Sequence, residues 1–371
     1  MTFPEFYRRS DLPDSALLRK FSALLALKTD AELEAMAAES AKLTARNFGK
    51  AIRLFAPIYL SNECINTCAY CGFSRDNPIV RVTLEVEQVA AETRYLVQEG
   101  FRSILLVAGE HPKFVSNGYL ERCILRLREE IPSISLEVAP METEEYIPMV
   151  AAGAEGLVVY QETYHRETYA ALHLAGPKKN FDWRLECPER AYAAGFRRIG
   201  IGALYGLYEW KYEAQALARH LEFLLRHCWK AQFTVSLPRM RPAAGGFEPK
   251  YGLSDREYVQ LLCALRICFP QVGIVLSTRE TPALRDALIP LGVTMMSAGS
   301  HTEPGGYTGQ GKEALHLTVK GRVVAETGGA ESATGQFDIA DERSPDEIAC
   351  LLRSRGFEAV WKDWDQGILG S

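Results

Sequence analysis

The sequence predicts an α/β protein whose parallel sheet closes into a (β/α)8, TIM-like barrel. Eight short β-rich segments alternate with stretches of helical periodicity, and 371 residues suffice for one such barrel with additions at both ends. A doubly wound open sheet is the second possibility, but no G-x-G-x-x-G motif follows the first strand. The segments expected to form the eight strands are 52–60, 103–108, 134–139, 155–160, 197–203, 232–237, 272–277 and 293–297.

Two amphipathic helices are expected ahead of the barrel, over 14–27 and 30–46. The second would begin with Asp30 as its N-cap. Between the strands, helical periodicity is clearest over 83–98 and 255–269. Such helices would cover the outside of the barrel.

The part of the chain after the barrel has a different composition. Residues 305–335 are rich in Gly, Ser and Thr, and predict a mobile insert that contains a short hairpin over 315–326. A helix near 344–355 and a strand near 357–362 follow. We therefore expect three parts: an N-terminal helical extension over 1–50, the barrel over 51–305, and a C-terminal extension with the mobile insert over 306–371.

The composition is that of an ordinary globular protein, with 47% hydrophobic and 24% charged residues. A net charge of -5 gives no support for nucleic-acid binding. The N-terminus lacks the apolar core of a signal peptide, and no stretch approaches the roughly 18 apolar residues of a membrane span, so we expect a cytoplasmic location. The nine cysteines are an odd number without a secretion signal, which argues against a disulfide framework.

Three of the cysteines, Cys64, Cys68 and Cys71, are crowded into one loop with the spacing Cys-x3-Cys-x2-Cys. Three thiolates can hold three irons of a cubane cluster and leave the fourth iron open. An open iron suits a catalyst, whereas an electron carrier normally fills all four positions. Zinc is the alternative, but it usually takes four ligands, and the nearest histidine is His111.

The cysteine spacing, with the aromatic Tyr70 before the last cysteine, resembles the signature of the radical S-adenosylmethionine (SAM) superfamily. The resemblance implies one [4Fe-4S] cluster whose open iron chelates the amino and carboxylate groups of SAM. It also implies reductive cleavage of SAM to a 5′-deoxyadenosyl radical, with Tyr70 close to these cofactors. The motif alone says little about the substrate.

Nearly the whole chain resembles the 2-iminoacetate synthases, the tyrosine lyases of thiamine thiazole synthesis; the stretch 312–333 is the part without a counterpart. The resemblance implies that the adenosyl radical abstracts a hydrogen from L-tyrosine and that the Cα–Cβ bond then breaks. The products would be 2-iminoacetate, p-cresol, 5′-deoxyadenosine and methionine. The segments that carry the resemblance include CAYCGFSRDNPIVRVTL at 68–84, VVYQETYHRETY at 158–169, FDWRLECPERAYAAG at 181–195 and LSTRETPALRD at 276–286.

The SAM-binding roles implied by the resemblance fall on polar residues in and after the predicted barrel strands. In a barrel the active site collects at the carboxyl ends of the strands. We expect Glu110 to accept a hydrogen bond from the SAM amino group. Glu137 or Glu162 would hold the ribose hydroxyls, and Arg184 would pair with the SAM carboxylate.

The substrate-binding roles fall on later strands of the barrel. Arg279 is the candidate for the tyrosine carboxylate, because a guanidinium suits bidentate carboxylate recognition. Ser297 and Ser300 would line the same pocket. Tyr160, or the region of His301, would approach the substrate phenol.

Other readings remain open at this stage. The hydrogenase-maturation tyrosine lyase carries a second cluster on C-terminal cysteines, whereas the late cysteine here is Cys350 alone. A tryptophan lyase would share the loop and the barrel. A non-catalytic iron–sulfur or zinc protein is the rival from another class. The resemblance also implies two partners, a low-potential reductant such as flavodoxin and the thiazole synthase that would consume 2-iminoacetate.

Overall fold

The computed structural model describes residues 2–8, 14–325 and 330–361. The strands in chain order are β1 (Ala51–Ser61), β2 (Thr67–Cys68), β3 (Ile79–Arg81), β4 (Ser103–Ala108), β5 (Ser133–Glu137), β6 (Gly156–Glu162), β7 (His173–Ala175), β8 (Arg198–Ala203), β9 (Gln232–Ser236), β10 (Gly273–Leu276), β11 (Met295–Ser297), β12 (His316–Val319), β13 (Arg322–Ala325) and β14 (Glu358–Val360).

The α-helices of the described residues surround these strands. They are α1 (Phe3–Arg8), α2 (Ala16–Leu24), α3 (Asp30–Phe48), α4 (Val86–Gln98), α5 (Asn117–Leu127), α6 (Thr143–Ala152), α7 (Arg166–Leu172), α8 (Phe181–Leu185), α9 (Cys187–Ala194), α10 (Trp210–His227), α11 (Asp255–Cys268), α12 (Pro282–Leu288) and α13 (Pro345–Ser354). None of the helices in the described ranges has the length and apolar character needed to cross a bilayer.

Eight parallel strands form a closed barrel in the order β1-β4-β5-β6-β8-β9-β10-β11. The barrel closes because β11 pairs with β1, with Leu54 opposite Met296. All eight predicted strands are confirmed, and the closure excludes the open sheet. Such strands are buried on both faces, which explains why they appear in the sequence as nearly continuous apolar runs.

The two predicted N-terminal helices are confirmed as α2 and α3, which pack against α11. The predicted N-cap of α3 was wrong by one residue. Thr29 is the cap, because its backbone N–H donates to the Glu32 carboxylate at 2.7 Å and its hydroxyl accepts from the Glu32 N–H at 3.3 Å. Asp30 is instead the first residue of the helix.

The predicted C-terminal hairpin is confirmed as β12 and β13, which pair in antiparallel fashion. Strand β12 also pairs with β3, which belongs to the loop that follows β1. The predicted late strand is β14, which adds to β1 in parallel outside the barrel order. The C-terminal part of the chain therefore contacts both the cysteine loop and the first barrel strand.

Candidate active site

The cysteine loop runs from the end of β1 to the start of α4, and a buried arginine stabilises it through hydrogen bonds. The Arg81 guanidinium is fully buried and donates to the carbonyls of Phe73 at 3.1 Å and Ser74 at 2.8 Å. Its Nε donates to the Thr318 hydroxyl on β12 at 2.6 Å. Because these acceptors lie on two segments, one side chain joins the cysteine loop to the C-terminal hairpin.

The backbone of the cysteine loop also contacts the backbone at the end of β4. The Ile65 N–H donates to the Glu110 carbonyl at 2.8 Å. A Cβ added at Gly109 would stand 2.2 Å from the Glu63 carbonyl oxygen, so only glycine allows this approach. The same approach brings the Glu110 carboxylate to Asn66, whose amide donates to it at 2.6 Å.

The three loop cysteines are free thiols that share two neighbouring apolar clusters. Cys64 and Cys71 pack with Tyr59 and Phe73, and Cys68 and Cys71 pack around Tyr70. Burial raises the pKa of the Cys64 thiol, and Cys71 raises it further. Burial also raises the pKa of Cys68, against the opposing effect of the Lys178 ammonium.

These thiols fit an iron–sulfur cluster, because bound iron carries the positive charge that keeps neighbouring thiolates deprotonated. The Asn66 amide, 3.7 Å from Cys64 Sγ, and the Gln336 amide, 4.0 Å from Cys71 Sγ, supply N–H groups towards two of the sulfurs. In the described residues, no three His, Cys, Asp or Glu side chains are arranged to hold a single metal ion.

Tyr70 is buried beside the loop cysteines and is fixed by a histidine. Its hydroxyl lies 2.9 Å from His173 Nε2, and His173 Nδ1 lies 2.8 Å from the Tyr169 carbonyl. A carbonyl can only accept, so Nδ1 donates and Nε2 accepts from the Tyr70 hydroxyl. Burial lowers the pKa of His173 to about 3, which keeps the ring neutral and this arrangement intact.

Glu162, at the end of β6, lies between two cations. Its carboxylate is 2.7 Å from Lys178 Nζ and 3.3 Å from Arg184 Nη2. Burial alone would raise the pKa of Glu162, but Lys178 and Arg184 outweigh it and hold that pKa below its usual value. Arg184 also donates through Nε to the Tyr160 carbonyl at 2.6 Å. The predicted SAM-binding residues Glu162 and Arg184 therefore form one ionic cluster, which Lys178 completes.

Two adjoining cavities occupy the carboxyl end of the barrel. The outer cavity reaches the cysteine loop at Tyr70 and Cys71, and it includes Glu162 and Lys178. The inner cavity extends down the barrel to Ser297. The two cavities adjoin each other, because both are lined by the same six residues: Glu137, Tyr160, Pro238, Arg279, Gln336 and Phe337.

Most of the predicted site residues lie around this space. Its lining includes Tyr70, Glu137, Tyr160, Glu162, Arg279, Ser297 and Ser300. Glu110 and Arg184 line neither cavity: Glu110 contacts Asn66 in the cysteine loop, and Arg184 contacts Glu162, which lines the outer cavity. His301 lies elsewhere: its ring pairs with Glu303 at 2.9 Å and lines a separate cavity on the far side of Ser300.

Glu137 and Arg279 are the charged side chains shared by the two cavities. Burial, with the Glu162 carboxylate next, raises the pKa of Glu137 to about 7. Burial lowers the pKa of Arg279, against the opposing effects of Tyr59, Tyr160 and Glu137. The cavity thus presents a guanidinium and a carboxyl group that changes charge near neutral pH.

The serine hydroxyls beside Arg279 differ in their bonding. Ser297 Oγ accepts from the Thr278 N–H at 3.2 Å. Ser300 Oγ is buried and has no hydrogen-bond partner among the described residues. A buried hydroxyl without a partner is costly, so a polar ligand group at this position would stabilise the site.

Several residues of the site escaped sequence reasoning, among them Lys178, Gln336 and Phe337. Lys178 follows β7, while Gln336 and Phe337 lie far along the chain in the C-terminal extension. Gln336 accepts from the Tyr59 hydroxyl at 2.8 Å, and Phe337 lies under the Arg279 guanidinium. They follow no barrel strand and match no spacing motif, so only the tertiary structure reveals them.

Comparison with known proteins gives matches over most of the chain. Residues 58–221 match the family model of the radical SAM superfamily, and residues 236–358 match the biotin and thiamin synthesis associated domain. The chain is 41% identical to the 2-iminoacetate synthase of Escherichia coli (strain K12) over 344 residues, which is 92% of this chain and 86% of that protein. It is 39% identical to the 2-iminoacetate synthase of Salmonella typhimurium, again over 344 residues, 92% of this chain and 86% of that protein.

The fold is also similar to that of a solved crystal structure. A crystal structure of HydG, a maturase of the [FeFe]-hydrogenase, matches with a TM-score of 0.84 and 30% identity, covering 95% of this chain and 77% of that one. The family match that begins at residue 236 extends across the stretch 312–333, for which the sequence suggested no counterpart.

Proposed function

The chain belongs to the 2-iminoacetate synthase family of the radical SAM superfamily, and from this premise we propose that it cleaves the Cα–Cβ bond of L-tyrosine. The protein is a radical SAM lyase that uses a [4Fe-4S] cluster and SAM. The proposed products are 2-iminoacetate and p-cresol, formed together with 5′-deoxyadenosine and methionine. This reaction would serve the synthesis of the thiamine thiazole.

The observation that carries the proposal is the pair of adjoining cavities between Cys71 and Ser300. The outer cavity adjoins the three-cysteine loop, the Arg279 guanidinium lies where the two cavities meet, and the inner cavity holds the Ser300 hydroxyl, which has no hydrogen-bond partner among the described residues. Such a space suits an amino acid bound with its reacting end towards the cofactors. Enclosure matters because a radical reaction must be shielded from water and from side reactions.

We propose that Cys64, Cys68 and Cys71 hold the cluster. When bound, the cluster and SAM supply the radical that starts the reaction. The chain itself binds and orients. Glu110 is proposed for the SAM amino group and Tyr70 for the wall beside the cofactors, and both are supported by their contacts around the cysteine loop.

For the rest of SAM, we propose that Glu137 or Glu162 holds the ribose hydroxyls and that Arg184 attracts the carboxylate. Glu162 forms ion pairs with two cations, Lys178 and Arg184. The ionic cluster therefore has a net positive charge at the outer cavity. An anionic carboxylate is favoured there by simple charge attraction.

For the substrate, we propose that Arg279 binds the tyrosine carboxylate, with Ser297 and Ser300 beside it. Burial of the guanidinium strengthens its attraction for an anion, because the surroundings screen charge less than water does. Tyr160 lines both cavities and is the proposed neighbour of the substrate phenol. His301 is a weaker candidate, since its ring lines a different cavity.

Other features of the proposal concern the setting of the enzyme. All nine cysteines are free thiols, which suits the reducing cytoplasm that we propose as its location. A low-potential reductant such as flavodoxin and a thiazole synthase are the proposed partners. The division into parts at residues 50 and 305 stays a prediction.

A substrate comparison tests the proposal against its relatives. Reconstituted protein with SAM and reductant would receive L-tyrosine or L-tryptophan in parallel. We expect p-cresol from tyrosine and no 3-methylindole-2-carboxylate from tryptophan. The reverse pattern would identify a tryptophan lyase.

A further inference from the structure

The Arg279 guanidinium rests on the face of an aromatic ring. Its central carbon lies 3.3 Å from the centroid of the Phe337 ring, and both side chains line the inner and outer cavities. A guanidinium over an aromatic face is attracted to the negative face of the ring, and more strongly where water is excluded. Arg279 is buried enough for its pKa to be lowered by desolvation.

No polar group of the described residues holds this guanidinium. Among them no carboxylate forms an ion pair with Arg279, and no hydrogen bond from its guanidinium is found. By contrast Arg184, which lies beside the outer cavity, pairs with Glu162 and donates to the Tyr160 carbonyl. The contact with Phe337 is therefore the interaction that sets the orientation of the Arg279 side chain.

Phe337 is itself held firmly by its backbone. It belongs to the covering segment (residues 334–340), which crosses the open end of the barrel. The Phe337 carbonyl accepts from the Thr302 hydroxyl at 2.9 Å, and the neighbouring Asp338 N–H donates to the Pro242 carbonyl at 2.9 Å. At the end of the segment, the Ala340 N–H donates to the Thr278 carbonyl at 2.9 Å, one residue before Arg279.

The arrangement leaves the binding edge of Arg279 available. A ring beneath the central carbon occupies one face of the planar guanidinium, whereas its five N–H groups point outwards in the plane. Those donors are the ones that form the paired hydrogen bonds to a carboxylate. A hydrogen-bonding or acidic partner in place of Phe337 would occupy them.

We infer that Phe337 is a positioning residue that orients Arg279 for the carboxylate of the amino acid substrate. The inference rests on the proposed function. It means that substrate affinity depends on Phe337 in the covering segment as well as on Arg279, which follows a barrel strand. Because Phe337 acts through Arg279, its contribution depends on a carboxylate in the ligand.

Binding to reconstituted protein with SAM but without reductant tests this inference, since no turnover occurs. The ligands would be L-tyrosine and tyramine, which lacks the carboxylate. We expect Phe337→Leu and Phe337→Met to weaken L-tyrosine binding about ten-fold, with little change for tyramine. Phe337→Tyr keeps the ring face and should restore binding. Trp229→Leu is the matched control, because that exposed ring lies under Lys230, away from both cavities.

The outcomes are distinguishable. Equal weakening for both ligands would mean that Phe337 contacts the substrate or only supports the fold, and would overturn the inference. Unchanged L-tyrosine binding in both non-aromatic variants would overturn it as well. Wild-type protein that binds tyramine but not L-tyrosine would contradict the proposed function itself, and the inference with it. In the Arg279→Leu background, Phe337→Leu should add no further loss.

Discussion

Glu137 and Arg279 face one space at the end of the barrel and are ionisable groups of opposite sign. Burial acts on both in the direction of neutrality, raising the pKa of Glu137 to about 7 and lowering the pKa of Arg279. Perturbed pKa values of this kind are frequent at functional sites, because ligand binding and not folding supplies the missing partners. Burial of these two groups without a ligand therefore lowers the stability of the free protein, and a bound ligand would supply the missing partners.

Replacing Glu137 by glutamine should stabilise the ligand-free protein at alkaline pH. The native pKa of about 7 lies above the ordinary value of 4.5, so the folded state binds the proton more tightly than the unfolded chain. The contribution of Glu137 to the stability of the wild-type protein therefore falls between pH 4.5 and 7 and then levels off. At pH 8 the cost is at most about 3 kcal/mol.

Thermal unfolding of cluster-free Glu137→Gln and wild-type protein at pH 5 and pH 8 checks this expectation. The gain in Tm should be larger at pH 8. Glu129→Gln, at an exposed position, serves as the control and should give no pH-dependent gain. A gain that is equal at both pH values would show that Glu137 does not titrate in this range.

The sequence predicts those candidate site residues that stand in a recognisable spacing or directly after a predicted strand. The cysteines are found by their spacing, and Arg279 because it follows a barrel strand. Lys178, Gln336 and Phe337 are not found, because each reaches the site from a segment whose course depends on packing rather than on periodicity. The sequence predicted that Arg184 would pair with the SAM carboxylate, but it gave no sign of the ion pair between Arg184 and Glu162.

At the scale of elements, the cysteine loop and the covering segment are packed together with almost no free space. A Cβ added at Gly72, next to the last loop cysteine, would stand 2.3 Å from the Gln336 carbonyl oxygen. The Asn62 amide donates to the Thr334 carbonyl at 3.0 Å, and the Thr334 N–H donates to the Val80 carbonyl at 2.9 Å. Glycine at position 72 is therefore required by the close approach of another backbone.

Gly72→Ala should force the cysteine loop and the covering segment apart. Overpacking of this kind costs about 1–3 kcal/mol, and here it would act directly beside a proposed cluster ligand. We expect a lower Tm of the cluster-free protein and less iron retained per chain after reconstitution. Gly252→Ala is the control, since an added Cβ there meets no atom within 4 Å. Full iron retention in Gly72→Ala would refute the claimed fit.

The elements themselves were largely predictable. The eight barrel strands and the helices α2, α3, α4, α11 and α13 follow from apolar periodicity, because burial on two faces or on one stripe dictates the pattern. Helix α1 and the short pair of β2 with β7 were not predicted. Both are short, and tertiary contacts stabilise them: Phe3, for example, stacks on His220 with ring centroids 4.1 Å apart.

At the scale of the whole molecule, a buried ion pair joins the C-terminal part of the chain to the barrel. Arg285, on α12, and Asp341 are both fully buried and form a salt bridge. Asp341 also accepts from Arg343, which reaches Asp286 on α12 at 2.9 Å. The pair lies one residue beyond the covering segment, so it fixes that segment to the barrel.

Asp341→Ala should therefore be strongly destabilising. It leaves the Arg285 charge buried without its carboxylate, which costs about 3–5 kcal/mol in comparable cases. Urea unfolding of the cluster-free protein measures the loss. Glu87→Ala removes an exposed partner of Arg126 and should change stability by less than about 1 kcal/mol. A loss in Asp341→Ala no larger than in this control would show that the pair does not anchor the C-terminal part.

The central claim is that this molecule couples SAM cleavage to cleavage of L-tyrosine, and an anaerobic assay tests it most directly. Reconstituted protein with dithionite and SAM would be analysed for 5′-deoxyadenosine and p-cresol, with and without L-tyrosine, alongside the Cys68→Ala variant. We predict that both products form together, that both depend on L-tyrosine, and that the variant forms neither. Formation of 5′-deoxyadenosine without p-cresol, or of neither product by wild-type protein with a verified four-iron cluster, would contradict the account.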